Sequence, residues 1–278
     1  MDKTEYEIQH QKDLEYIKNF RLIDDDFMKK VFEDKECVQL TLRIIMDKPD
    51  LIVTEVHTEY EVTNLYGRSV RLDVHATDNA GKEYDIEIQR RDRGASSLRA
   101  RYNSSIMDTN ALEAGEDFTD LPETYVIFIT ENDVLKRNLP IYHIERVIRE
   151  TGELFDDKAH IIYVNNEIQD DTPLGLLMRD FVCKNADDMH YDVLAERVRN
   201  YKEDEGGLTS MCRAMEEMRA EAEARGKAEG IAEGKAEGKA EGIEKMIELL
   251  RERGLQRKLC KQYLTTFDKV KITGISLI

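Results

Sequence analysis

The chain has 278 residues, of which 41% are hydrophobic and 36% charged, and its formal net charge at pH 7 is −17. This length allows one sizeable hydrophobic core with an appendage, or two small domains. The acidic balance argues against a protein that coats nucleic acid non-specifically, because a polyanion repels an acidic surface. A site that acts on a polyanion would need only a local basic rim.

The sequence carries no signal for membrane insertion or export. Its apolar runs stay far below the roughly 18 residues that a membrane span needs. The first residues are polar and lack the apolar core of a signal peptide. The four cysteines match no zinc-binding spacing. We therefore expect a cytoplasmic protein with reduced thiols.

The first part of the chain predicts a helix followed by a strand. Residues 1–23 are interpreted as an N-terminal extension. Apolar residues recur close to a 3.6-residue period between Asp24 and Lys48, which predicts one helix that Pro49 ends. Residues 51–63 alternate between apolar and polar side chains, as a half-buried strand does.

Two alternating segments, residues 69–77 and 82–90, predict a β-hairpin. A three-residue loop, Asn79–Gly81, with its glycine in the left-handed region would place Asp73 opposite Glu87. The predicted apolar face consists of Leu72, Val74, Ala76, Tyr84, Ile86 and Ile88. The other face, which we expect to be wet, consists of Arg71, Asp73, His75, Asp85, Glu87 and Gln89.

The remaining segments complete a pattern of mixed helices and strands. Patterning predicts helices over residues 96–112, 173–182 and 191–202, and buried strands over residues 124–130 and 159–164. This order indicates an α/β core with a mixed central sheet flanked by helices.

The composition changes near residue 206 to a Glu, Lys, Ala and Gly repeat. Glycines recur every fourth residue at Gly226, Gly230, Gly234, Gly238 and Gly242. Each glycine costs about 1 kcal/mol of helix stability relative to alanine. We interpret residues 206–253 as a low-complexity helical tail, either a solvated linker or a surface for homo-oligomerisation. Residues 254–278 show no assignable pattern.

The opposed acids of the hairpin suggest a metal site. Directly opposed residues have β-carbons about 5 Å apart, so Asp73 and Glu87 would repel each other unless a cation intervenes. Carboxylate oxygens suit Mg²⁺ or Mn²⁺. The alternative is an ordinary hairpin with acidic residues on its solvated face.

Basic residues follow the hairpin directly. Arg90, Arg91, Arg99 and Arg101 form a local positive region in an acidic chain, and we expect them to bind a phosphate backbone. The alternative is that they form salt bridges with the many acids nearby.

The order Asp73, thirteen residues, Glu87, Ile88, Gln89 resembles the PD-(D/E)XK signature, with Gln89 in the usual place of lysine. The wider run from RLDVHATDNAGKEYDIEIQRRD to TYVIFIT resembles PD-(D/E)XK family transposases and recombination-promoting nucleases. We assign residues 24–205 to this nuclease-like domain, with a restriction-endonuclease-like core.

The resemblance implies a role for each matched residue. Asp73 and Glu87 would bind the metal, and Gln89 would orient the attacking water. A glutamate on the first core helix often completes the site in this family. Glu33 and Glu36 are the possible matches, and we favour Glu36.

The function expected from these residues is Mg²⁺-dependent endonucleolytic cleavage of DNA, associated with transposition or recombination. A nuclease-derived interaction protein with weak or no activity is the alternative. The presence of both Asp73 and Glu87 favours the enzyme, because an inactive descendant has no reason to keep them. A DNA-binding regulator fits poorly with the net charge of −17.

Overall fold

The computed structural model describes residues 3–64, 67–90 and 92–252. The α-helices of this part are α1 (Lys3–Asn19), α2 (Asp25–Val31), α3 (Lys35–Ile45), α4 (Ser97–Ala111), α5 (Pro173–Val182), α6 (Asp192–Glu203) and α7 (Glu205–Glu252). The strands are β1 (Val53–Val62), β2 (Val70–Asp78), β3 (Glu83–Gln89), β4 (Thr124–Thr130), β5 (Ile141–Ile144) and β6 (Ala159–Asn165).

The strands form one mixed sheet in the order β1-β2-β3-β4-β6-β5. Strands β1, β2 and β3 are antiparallel neighbours, β3, β4 and β6 are parallel, and β5 returns antiparallel to β6. Parallel neighbours need a crossover connection, and α4 lies on the one between β3 and β4. The mixed sheet with flanking helices confirms the expected restriction-endonuclease-like α/β fold.

The predicted hairpin is present with the predicted register. Val74 lies opposite Ile86, and Gly81 occupies the loop with a φ of 76°. Only glycine adopts such a backbone conformation without cost. Continued by one residue, this register sets Asp73 opposite Glu87.

The prediction of one helix from Asp24 to Lys48 is wrong, because the segment forms two helices. Helix α2 ends at Val31, and Asp34 caps the start of α3 by accepting a hydrogen bond from the Glu36 backbone N–H at 3.0 Å. An aspartate in this place competes with the helical backbone and starts a new helix. The sequence patterns also did not predict α1 or the short edge strand β5.

Helix α4 covers the part of the sheet formed by β3 and β4. Its Ala100, Ile106 and Met107 are buried against Val126 and Phe128 of β4. Because β3 and β4 are in parallel register, Asp85 lies beside Val126 and Glu87 beside Phe128. The acids of β3 therefore lie on a covered face.

The chain divides into two compact units, of which the first comprises residues 1–214 and the second begins at Met215. Helix α1 belongs to the first unit, where its Ile17 is fully buried. The first unit extends past residue 205, since Met211 is also fully buried. In the second unit, side chains from residue 219 to residue 242 are exposed. Residues 254–278 lie outside the described residues.

None of the helices in the described part of the chain is long and apolar enough to cross a membrane.

Candidate active site

Asp73 and Glu87 meet at the end of the β2–β3 pairing. The Ile88 backbone N–H donates to Asp73 Oδ2 at 3.2 Å, and the Glu87 carboxylate accepts from the Asp73 backbone N–H. Each of the two carboxylates thus accepts a hydrogen bond from the backbone of the opposing strand. Asp73 is 8% exposed and Glu87 is fully buried, so the expectation of a wet polar face is wrong.

The covering helix α4 supplies polar partners for the acids of β3. Asn103 Nδ2 donates to Asp85 Oδ2 at 2.9 Å and to Glu87 Oε1 at 3.2 Å. The Arg99 guanidinium forms an ion pair with Glu87 and donates to the Gly94 carbonyl oxygen at 3.1 Å. Asp85 is a third acid of the site and is fully buried.

The pKa values of the three buried acids are raised. Burial raises the pKa of Asp73 far above its ordinary value, and the negative charges of Glu87 and Asp25 raise it further. Burial also raises the pKa of Glu87, with a further contribution from Asp85 and opposition from Arg99. For Asp85, burial raises the pKa and the Asn103 hydrogen bond opposes it. A bound proton or metal cation therefore stabilises this cluster of buried acids.

Helix α2 reaches the same acids from another element. Lys29 Nζ lies 3.0 Å from Asp25 Oδ2, 3.7 Å from Glu59 Oε1 and 3.7 Å from Asp73 Oδ1. Asp25 Oδ1 is buried and has no hydrogen-bond partner among the described residues. The helical acid next to the site is therefore Asp25.

The structure places Glu33 and Glu36 elsewhere. The exposed Glu36 accepts a hydrogen bond from Gln39, whose Oε1 accepts from the Val53 N–H at the start of β1. That end of the sheet is the far end of β2 from Asp73. Glu33 forms an ion pair with the lysine three residues before it, at 2.7 Å. The chain forms two helices here, so Asp25 and Lys29 lie on α2 whereas Glu36 lies on α3.

Gln89 ends β3 beside the acids. Its Nε2 lies 3.5 Å from Glu87 Oε2, at the limit of a hydrogen bond. A β-carbon on Gly94 would overlap Gln89 Oε1, so the glycine leaves room for this amide. An open cavity of about 470 Å³ is lined by Asp25, Ile88, Gln89, Arg90 and Glu131. Gln89 and the acid of α2 thus face the same space.

The predicted basic residues have different environments. Arg90 forms ion pairs with Asp24 at 3.0 Å and Glu131 at 3.2 Å, as the salt-bridge alternative expects. Arg91 lies outside the described residues. Arg99 is tied to Glu87, whereas Arg101 is exposed.

A groove of about 690 Å³ lies beside α4 and is lined by four arginines. Its arginines are Arg68, Arg71, Arg99 and Arg101. The other residues described as lining it are neutral, and none is acidic. Two of these arginines, Arg68 and Arg71, precede the hairpin acids in sequence, and the sequence analysis did not assign them a binding role. Asn103 also lines the groove, which connects it to the buried acids.

The donor atoms fit a hard divalent cation. Within the described residues, no three His, Cys, Asp or Glu side chains converge as a complete ligand set. Mg²⁺ often takes only one or two carboxylates and completes its shell with water and substrate phosphates. Asp73 and Glu87 could supply two carboxylates, and Asp85 Oδ1 is a buried oxygen without a described partner.

The residues that the sequence reasoning missed share one signal. Asp25 and Lys29 are four residues apart on α2, and Asn103 follows the predicted Arg99 by four residues on α4. Side chains at this spacing lie on one face of a helix. The pattern does not reveal which face meets the sheet, so it could have suggested these pairs without locating them.

The mixed sheet, the buried carboxyl groups of its β2–β3 hairpin and the adjacent arginine-lined groove are together typical of a nuclease-like protein. The chain belongs to the PD-(D/E)XK nuclease family transposases, which match it over residues 33–172. The matched segment contains Asp73, Glu87 and Gln89 and begins after Asp25 and Lys29. No curated protein and no solved structure matches the chain.

Proposed function

We propose that this protein is a Mg²⁺-dependent endodeoxyribonuclease that hydrolyses phosphodiester bonds during transposition or recombination. One observation carries the proposal: three buried carboxyl groups of the hairpin lie beside a groove lined by four arginines. Negative charges buried so close together destabilise the fold unless a bound cation offsets them. A neighbouring basic groove suits an anionic polymer.

Asp73 and Glu87 would hold the metal, with Mn²⁺ as the alternative ion. When bound, the metal lowers the pKa of a water molecule and neutralises charge on the phosphorane. Asn103 and Arg99 orient the Glu87 carboxylate through their hydrogen bonds. The Gln89 amide would orient the attacking water or a phosphate oxygen by hydrogen bonds, since it carries no charge.

The groove arginines would hold the DNA backbone. Contacts to phosphates fix the position of a duplex without reading its sequence. Arg101 is exposed in the groove and suits this role, while Arg90 already has two acidic partners. The acidic remainder of the chain would confine the nucleic acid to this groove.

Nicking of supercoiled plasmid in Mg²⁺ tests the proposal. We expect Asp73→Ala and Glu87→Ala to lower the rate by about 100-fold or more, because each removes a preorganised charged group at the reacting centre. Glu55→Gln is the matched control, since Glu55 is an exposed acid on the adjacent strand β1. Equal cleavage by Asp73→Ala, or full cleavage in EDTA, would contradict the proposal.

A further inference from the structure

Lys29 brings a positive charge to the acid site from α2. Two residues after Glu87, β3 carries the neutral Gln89, so the strand offers no cation at that position. Lys29 Nζ lies within 4 Å of carboxylate oxygens of Asp25, Glu59 and Asp73. The lysine lies before the segment that matches the family, residues 33–172.

The position of Lys29 is fixed by the packing of its helix. Phe27, Met28 and Val31 are fully buried, which anchors α2 on both sides of the lysine. The Lys29 side chain is only 12% exposed. The next residue, Lys30, is 31% exposed and pairs with Glu33 away from the site. Two adjacent lysines thus have distinct environments.

We propose that Lys29 is the internal counter-ion of the acid site. It offsets part of the negative charge of Asp25, Glu59 and Asp73 while no divalent cation is bound, and it competes with such a cation for Asp73. During cleavage it supplies the positive charge that Gln89 cannot supply. This second role rests on the proposed nuclease function, whereas the competition with a cation does not.

Electrostatics favours this role over a purely structural tie. A lysine that only held α2 against the sheet would need one acidic partner. Lys29 has three, contributed by α2, β1 and β2, and one of them is a proposed metal ligand. Charges a few ångströms apart in a partly buried site interact strongly, so a divalent cation at Asp73 must weaken the Lys29–Asp73 interaction.

Mn²⁺ binding by calorimetry tests the competition without any DNA. We expect Lys29→Met to bind Mn²⁺ about tenfold more tightly than the parent, because the competing charge is gone. Lys30→Met is the matched control and should bind as the parent does. A structural lysine predicts the opposite, since its loss would disorder the site and weaken binding. Unchanged or weaker binding by a folded Lys29→Met variant would overturn the proposal.

Chemical labelling of the parent protein gives a second readout that needs no variant. Acetylation of lysines by acetic anhydride, located by mass spectrometry, should increase at Lys29 when Mn²⁺ is added. Lys30 should be labelled equally with and without the metal. Labelling of Lys29 that stays equal or falls would contradict competition between the lysine and the cation.

The charge-supply role is tested by moving the charge. Lys29→Met should lower the rate of plasmid nicking at saturating Mg²⁺, and adding Gln89→Lys to that variant should restore part of it. Full nicking by Lys29→Met would overturn this role. If the parent itself does not nick DNA, the proposed nuclease function fails, while the two Mn²⁺ measurements still decide whether Lys29 is a counter-ion.

Discussion

At the scale of single residues, the site concentrates negative charge where a folded protein can least accommodate it. Asp85 and Glu87 are fully buried, and Asp73 is nearly so. Two basic side chains, Lys29 and Arg99, offset part of this charge. Burial raises the pKa of all three acids, and the negative charges of neighbouring acids raise it further.

The raised pKa values of the buried acids predict how the free energy of unfolding depends on pH without metal. Unfolded carboxyl groups titrate near pH 4, whereas the folded site titrates well above that value. Between the two, the folded state binds more protons than the unfolded state, so the free energy of unfolding falls as pH rises. Asp85→Asn should flatten this dependence and stabilise the protein at alkaline pH. Urea unfolding in EDTA at several pH values measures both effects, and an unchanged slope in Asp85→Asn would refute them.

Substitution of Gly94 tests the role of Gln89 without changing the acids. A β-carbon at residue 94 would overlap Gln89 Oε1, the flexible end of that side chain. Gly94→Ala should therefore displace the amide at little cost in stability. Plasmid nicking should slow in Gly94→Ala and in Gln89→Ala to a similar degree, while both retain Mn²⁺ binding. Parent-like rates in both variants would mean that Gln89 has no part in the reaction.

At the scale of elements, local patterns located the hairpin but not its environment. The loop glycine and the alternation of β2 and β3 were sufficient to predict the register that opposes Asp73 and Glu87. Periodicity also predicted α4, but not that it would cover the face of β3 that bears the acids. That depends on contacts between residues distant in sequence, such as Asn103 with Asp85. For the same reason the sequence favoured Glu36, while the fold brings Asp25 to the site.

Substitution of Asn103 tests how much the hydrogen bonds from α4 to the buried acids stabilise the fold. Its amide bonds two buried carboxyl groups, and removing it leaves both with an unpaired oxygen. We expect Asn103→Ala to destabilise the protein by about 1–3 kcal/mol, the cost of unsatisfied buried polar groups. The control is Asn110→Ala on the same helix, where the side chain is exposed. Equal urea midpoints for the two variants would show that the Asn103 hydrogen bonds contribute no stability.

At the scale of the whole molecule, the chain combines a compact unit with a long helix. The sequence predicted the helical tail from its composition, and α7 continues through the glycine repeat to Glu252. Each repeat glycine has open space where a β-carbon would lie. The sequence could not show that the first turns of α7 belong to the compact unit, because the burial of Met211 depends on the tertiary fold.

Two truncations test where the compact unit ends. A chain that stops at Arg219 keeps all of the first unit and should unfold cooperatively with the stability of the parent. A chain that stops at Asp204 loses the buried Met211 and should be less stable by about 2 kcal/mol or more, as for other buried methionines. Thermal unfolding followed by circular dichroism compares them. Equal stability would place the boundary at the earlier position.

The binding of Mn²⁺ to the parent and to Asp73→Ala tests the central claim most directly, that the buried acids serve a divalent cation. Electron paramagnetic resonance measures the free ion, and Glu55→Gln is the control. We predict saturable binding by the parent and the control, and its loss in a folded Asp73→Ala variant. Equal binding by Asp73→Ala, or no binding by the folded parent, would contradict the account.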